Sequence, residues 1–213
     1  MHAVPDFAVL ASYTLACLVL FITPGPDMSL FLAKTLGEGR RAAVAACLGT
    51  STGCLLHTLL AAVGVSALLA ASPVAFTFLK VVGAIYLLWL AVGAIRHGSA
   101  LTVRDAAGRR STLWQSYLTG LGINLTNPKI VLFFVTFLPQ FVSADDPHAA
   151  TKLAFLGVYF VGLTLPLGVA LIAAAHRVVG ALKRRPLIVR ALDYLFAGLF
   201  GAFAIKVLAM QGR

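Results

Sequence analysis

Asp27 and Lys129 place a carboxylate and an ammonium where hydrocarbon should surround them. Asp27 lies in FITPGPDMSL, residues 21 to 30, and Lys129 in GINLTNPKIVLFFVTFLPQF, residues 122 to 141. Each follows directly on a proline inside an apolar run. An ionised side chain at the centre of a membrane helix costs about 2.5–3.5 kcal/mol, so both charges need compensation. One arrangement is a direct Asp27–Lys129 ion pair. Another is a shared aqueous cavity receiving a solute with both charges, Lys129 holding a carboxylate and Asp27 an ammonium or a proton. Either side chain could instead snorkel to an interface.

The backbone around them has its own chemistry. Pro24 and Pro26, with Gly25 between, are predicted to unwind about one helical turn, because proline lacks an N–H and obstructs the preceding turn. The freed polar groups must face protein, water or a solute. The helix that restarts after the break presents N–H groups with partial positive charge, and Asp27 falls near that start. Pro128 repeats the arrangement, with Asn124, Thr126 and Asn127 beside it either to cap the interrupted helix or to line the solute site. Pro26 and Pro128 stand 102 residues apart, as do Asp27 and Lys129, and Leu30-Phe31 and Leu132-Phe133. The expected substrate site is Pro24, Gly25, Pro26, Asp27, Asn124, Asn127, Pro128 and Lys129.

Other residues admit chemistry less directly. His57 is four residues beyond Gly53, on the same helical face. It either bonds a neighbouring carbonyl or relays protons to Asp27, since histidine titrates near neutrality. Gly49-Thr50-Ser51-Thr52-Gly53 matches the nucleophile elbow G-x-S-x-G, which needs a strand-to-helix turn. Within an apolar run the two glycines read instead as a close helix contact. Cys17, Cys47 and Cys54 have no metal-ligand spacing and read as small packing residues. Gly83, Tyr86 and Trp89 form one helical stripe, for packing or, through Tyr86, for closing the cavity. Gln140 is expected to cap the end of its segment.

The elements that must position these residues follow from composition. Of 213 residues, 60% are hydrophobic and 11% charged. A soluble domain carries about 25% charged residues, so this is read as an all-α integral membrane protein. Six hydrophobic segments run over 7–36, 42–71, 74–95, 113–142, 152–175 and 190–210. Segments one, two and four exceed a straight span, which tilt or a break accommodates. Residues 1 to 6 contain no Lys or Arg, so the first run is expected to be a retained span and not a signal peptide.

The net charge of +10 is a matter of placement. The first connection holds Lys34, Arg40 and Arg41. The third holds Arg96, Arg104, Arg109 and Arg110, and the fifth Arg177, Lys183, Arg184, Arg185 and Arg190. The second connection has no charge before Lys80, and the fourth, SADDPHAAT, is acidic. The positive-inside rule places connections one, three and five in the cytoplasm and both termini outside. Basic loops this short argue for topology and contact with membrane lipid, and against nucleic acid. Residues 1–95 and 113–213 form two three-span halves around a linker at 96–112. Because spans one and four run in opposite directions, the halves are predicted to be inverted repeats with broken first helices, the arrangement that points to a transporter site near the midplane.

TPGPDM, NPK followed by LFF-x-x-FLPQF, LGTSTGCLLHTLLAAVGVSALL and LKVVGAIYLLWLAVGAI together resemble the LysE/RhtB family of bacterial amino-acid exporters. The resemblance covers nearly the whole chain. It implies export of an amino acid or close derivative from the cytoplasm, of the homoserine, threonine or neutral amino-acid type, driven by protons across the bacterial inner membrane. It also implies a homodimer, no cofactor and no enzymatic activity. The rival expectations are an ion or metal exporter, weakened by Asp27 being read as the only membrane acid, and an intramembrane enzyme using Ser51 with His57.

Overall fold

The computed structural model describes residues 5–97, 111–143, 146–184 and 186–211, so most of the linker expected at 96–112 lies outside the described residues. The described residues are helical and contain no strand. In the first half, α1 (Phe7–Ile22) is followed by α2 (Pro26–Gly37), α3 (Arg40–Leu60), a π-helical turn (Ala61–Val65), α4 (Ser66–Ala71) and α5 (Pro73–His97). In the second, α6 (Leu113–Thr126) leads to α7 (Pro128–Leu132), a π-helical turn (Phe133–Phe137) and a 3₁₀ turn (Leu138–Phe141). Then come α8 (Ala149–Ala173), α9 (Ala175–Arg184) and α10 (Pro186–Gln211).

Both predicted breaks are present, with a common cause. A residue before proline is pushed out of the helical region. Thr23 ends α1 in an extended conformation and Asn127 ends α6 in the same way. Pro26 and Pro128 then open the next helices at the position where a missing N–H costs nothing. The helices on either side bend by 50° at the first break and 55° at the second.

Three helical stretches are long and apolar enough to cross a membrane: Arg40–Gly64, Ala149–Ala173 and Leu187–Ile205. The bent pairs Phe7–Ile22 with Pro26–Gly37, and Leu113–Thr126 with Pro128–Phe141, pass the same test as units. The third expected segment falls on α5, whose described apolar stretch is the shorter Val81–Arg96. Large apolar side chains point outward on several helices, with Leu60 65% exposed, Trp89 64% and Ile205 60%. Apolar surface on this scale suits lipid, not water.

Inside, α3 lies directly on α6. A β-carbon at Gly49 would sit 2.0 Å from the Tyr117 carbonyl oxygen, and one at Gly120 would sit 2.0 Å from that of Ala46. Backbone therefore meets backbone, and the elbow-like G-x-S-x-G is a helix-packing motif in mid-helix. Phe133, Phe134 and Phe137, from the second π-helical turn, pack with Tyr13, Phe160 and Phe200 in a buried aromatic cluster. Cys17, Cys47 and Cys54 are buried free thiols.

Candidate functional site

Each break delivers one charge. Asp27 is the second residue of α2 and Lys129 the second residue of α7. Asn127 caps α7, its Oδ1 accepting the Lys129 N–H at 3.1 Å. The same side chain turns its amide across to the other break, where Nδ2 donates to Asp27 Oδ1 at 3.1 Å. Asn124, fully buried in the last turn of α6, donates from Nδ2 to Asp27 Oδ2 at 2.9 Å. In return, Lys129 Nζ donates to the Thr23 carbonyl oxygen at 2.8 Å, satisfying an acceptor that the first break had freed. The exchange is reciprocal: each charge is held by neutral groups of the opposite break.

Ion pairs within 4.0 Å join Lys34 to Glu38 and Lys152 to Asp146, whereas none joins Asp27 to Lys129. Both charges face one cavity, which has room for a few water molecules. Thr23, Gly25, Asp27, Asn124, Asn127 and Lys129 form its polar part. The α3 face contributes Cys47, Thr50, Ser51 and Cys54, and the remainder is largely apolar, including Met28, Phe31, Ile130 and Phe160.

Of the residues expected at the site, Asp27, Gly25, Asn124, Asn127 and Lys129 line the cavity. Pro24, Pro26 and Pro128 shape the backbone without lining it. His57 is buried in α3 but stacks on Phe134, ring centroids 5.8 Å apart, and does not line the cavity. Its Nε2 has no hydrogen-bond partner among the described residues, and Asp27 reaches it only through its electrostatic field. Thr126 bonds back to the Gly122 carbonyl. Gly83 packs against Thr136, and Tyr86 pairs with the exposed Trp89 away from the cavity. Ser51 donates to the Cys47 carbonyl at 2.9 Å, an ordinary mid-helix bond with no nucleophilic geometry. Among the described residues no three His, Cys, Asp or Glu side chains gather to hold a metal ion.

One expectation needs correction, because Asp27 is not the only buried acid. Asp193, in α10, is fully buried, and Asp27 and Asp193 are the two acids whose charges act on Lys129. Lys129 Nζ also stands 5.5 Å from the centre of the Phe196 ring, one turn along α10 from Asp193. Thr164 was missed as well. It lines the cavity from α8 two residues before Pro166, and a proline inside an apolar helix was the available sign.

The model of the LysE type translocator family matches residues 18–211. The chain belongs to that family. It is 31% identical over 189 residues to a homoserine/homoserine lactone efflux protein of Salmonella typhimurium, covering 89% of this chain and 90% of that one. It is also 31% identical over 217 residues to a leucine efflux protein of Klebsiella pneumoniae, covering 97% and 98%. An uncharacterized membrane protein of Vibrio cholerae is 31% identical over 198 residues, covering 92% and 94%. No solved structure matches the chain. With its apolar helices, this translocator is a multi-pass membrane protein and not an enzyme.

Proposed function

We propose that this translocator exports a neutral amino acid or a close derivative from the cytoplasm, in exchange for protons, by alternating access between two inverted three-span halves. The observation that carries the reading is the cross-over at the breaks. Asp27 and Lys129 share one cavity, and each is steadied by neutral groups instead of by the other. A zwitterion entering between them finds an acid for its ammonium and a cation for its carboxylate. Most of the remaining wall is apolar or hydroxyl-bearing, which suits a neutral side chain, in keeping with relatives named for homoserine and leucine efflux.

Coupling follows if Asp27 cannot hold an ammonium and a proton together. Protonation from outside releases the substrate, and deprotonation inside restores the site. Each charge moving inward contributes about 2.3 kcal/mol per 100 mV of membrane potential, which sustains a gradient of roughly fifty-fold. The cation-rich connections support cytoplasmic loops, periplasmic termini and an inner-membrane location.

The test is transport in proteoliposomes. Asp27→Asn and Lys129→Ala are each expected to lower proton-driven transport of the substrate at least tenfold. Near-normal, proton-dependent transport by both variants would remove the pair from the mechanism. A resistance screen against toxic amino acids and analogues, with and without expression, identifies the substrate.

A further inference from the structure

A second polar knot lies at the far end of α2, away from the cavity. Lys34 donates to Glu38 Oε1 at 2.5 Å and to Ser111 Oγ at 2.9 Å. Glu38 Oε2 accepts the Ser111 N–H at 3.0 Å and also the Ser111 hydroxyl. Ser111 Oγ in turn meets Ser116 Oγ at 2.7 Å. An exposed ion pair contributes about 0–1 kcal/mol, but this one is scarcely exposed. The Lys34 and Glu38 side chains keep only 12% and 10% of their surface, and Ser116 is fully buried. Lys34 and Glu38 belong to the first half, Ser111 to the end of the linker and Ser116 to the second half, so the knot ties the halves together through Ser111.

Its position gives it leverage. α2 is a twelve-residue rod, about 18 Å long, with Asp27 at one end and Lys34 in its last turn. Its upstream connection is the unwound Thr23–Gly25, the natural place for backbone angles to change. A rod hinged at the break and tied at its far end swings that end away from its partners when the tie opens, while Asp27 stays beside the hinge. The second half has a neutral residue at the matching position. Gln140 follows Glu38 by 102 residues, the offset that relates Asp27 to Lys129. Its Nε2 donates to the Thr136 carbonyl at 3.0 Å, while its buried Oε1 has no partner among the described residues. That end is packed across the halves too, Phe141 lying edge-on to Tyr13 with ring centroids 5.1 Å apart, so the ionised knot is what distinguishes the Glu38 end.

We propose that Lys34, Glu38 and Ser111 are the inner gate of the translocation path, shut in this structure. The proposal rests on the export reading for what passes the gate and on the cation distribution for which side is inner. Opening the clasp frees α2 to swing about Thr23–Gly25 and exposes the cavity to the cytoplasm. Closing it turns the same cavity outward.

Accessibility of the cavity tests this without any substrate. Ser51 lines the cavity, so Ser51→Cys in a chain with Cys17, Cys47 and Cys54 replaced by alanine is a single reporter thiol. Its labelling by a membrane-impermeant maleimide is followed in inside-out and right-side-out vesicles. Glu38→Gln and, separately, Ser111→Ala are expected to raise labelling from the inner face about tenfold and to lower it from the outer face. Unchanged inner-face labelling in both variants would overturn the gate, and so would an equal rise from both faces, which reports general loosening. An unaltered chain that moves no amino acid in proteoliposomes would defeat the export reading instead and leave the labelling result intact.

Discussion

A single carbon added at Gly53 should disable the site from behind. A β-carbon there would lie 2.4 Å from Asn124 Oδ1 and 3.0 Å from both Asn124 Cβ and Cγ. The obstructing atom is the end of a side chain, so Gly53→Ala is accommodated by rotating Asn124. That rotation withdraws Nδ2 from Asp27, where it now donates at 2.9 Å. A hydrogen bond to a charged group contributes about 1.5–3 kcal/mol. The expected loss of apparent substrate affinity is therefore roughly 10- to 150-fold, with the folded protein retained. Asn124→Ala should lose a comparable amount by deleting the donor outright. The decisive measurement is the double variant Gly53→Ala/Asn124→Ala, compared by substrate concentration dependence of transport in proteoliposomes. If the added methyl acts through Asn124, the double variant is no worse than Asn124→Ala beyond a small packing cost at the remaining β-carbon. Losses that add in free energy would show that Gly53 acts by another route and refute the reasoning.

Gly49→Ala should behave in the opposite way, because its β-carbon would meet the Tyr117 backbone oxygen at 2.0 Å, which cannot rotate aside. The expected result is a destabilisation of about 1–3 kcal/mol or more, read as a lower unfolding temperature in detergent. Gly25→Ala should be mild. Its φ of −170° is open to any residue and the added carbon would lie 3.6 Å from Lys129 Nζ, so transport within threefold of the unaltered chain is expected, roughly 0.6 kcal/mol. Gly39→Ala, at φ 98°, should instead cost about 1–2 kcal/mol of stability in the same unfolding assay. Outside the membrane, the hydrogen bond from Lys152 holds the Asp146 carboxyl below its ordinary value. Its contribution is then present above the unfolded carboxylate value near ~3.9 and is lost as the pH falls through the lower folded value. Asp146→Asn should weaken the fall in unfolding temperature below about pH 4, and an identical pH dependence in both proteins would contradict the pairing.

Both helix breaks were legible because proline acts locally, fixing its own φ and pushing the preceding residue into an extended conformation. A close helix contact at Gly49 and Gly53 was legible from their four-residue spacing, but not that α6 would supply it. The cross-over itself could not be read. Asn124 and Asn127 carry donors that suit either a cap or a distant acid, and only the packing of two helices from different halves settles which acid they reach. Thr23 was invisible as a Lys129 partner because the acceptor is its backbone carbonyl, which any residue would supply. Asp193 escaped notice because it lies near the basic end of its segment, close to Arg190, where an acid reads as interfacial; it is instead fully buried, and Phe196 and Phe200 further along the same helix are buried too. His57 shared the expected helical face with Gly53, yet it turns to Phe134, a neighbour supplied by a remote π-helical turn.

The glycine seam between α3 and α6 limits how the two halves can travel. With Gly49 pressed on the Tyr117 carbonyl and Gly120 on that of Ala46, no layer of pliable side chains is left to act as a bearing. Sliding these helices along each other would drive peptide oxygens into α-carbons within a fraction of an ångström. On the export reading the pair is therefore a fixed axle, and the shorter pieces beyond each break, α2 and α7, are the parts that would rock around it.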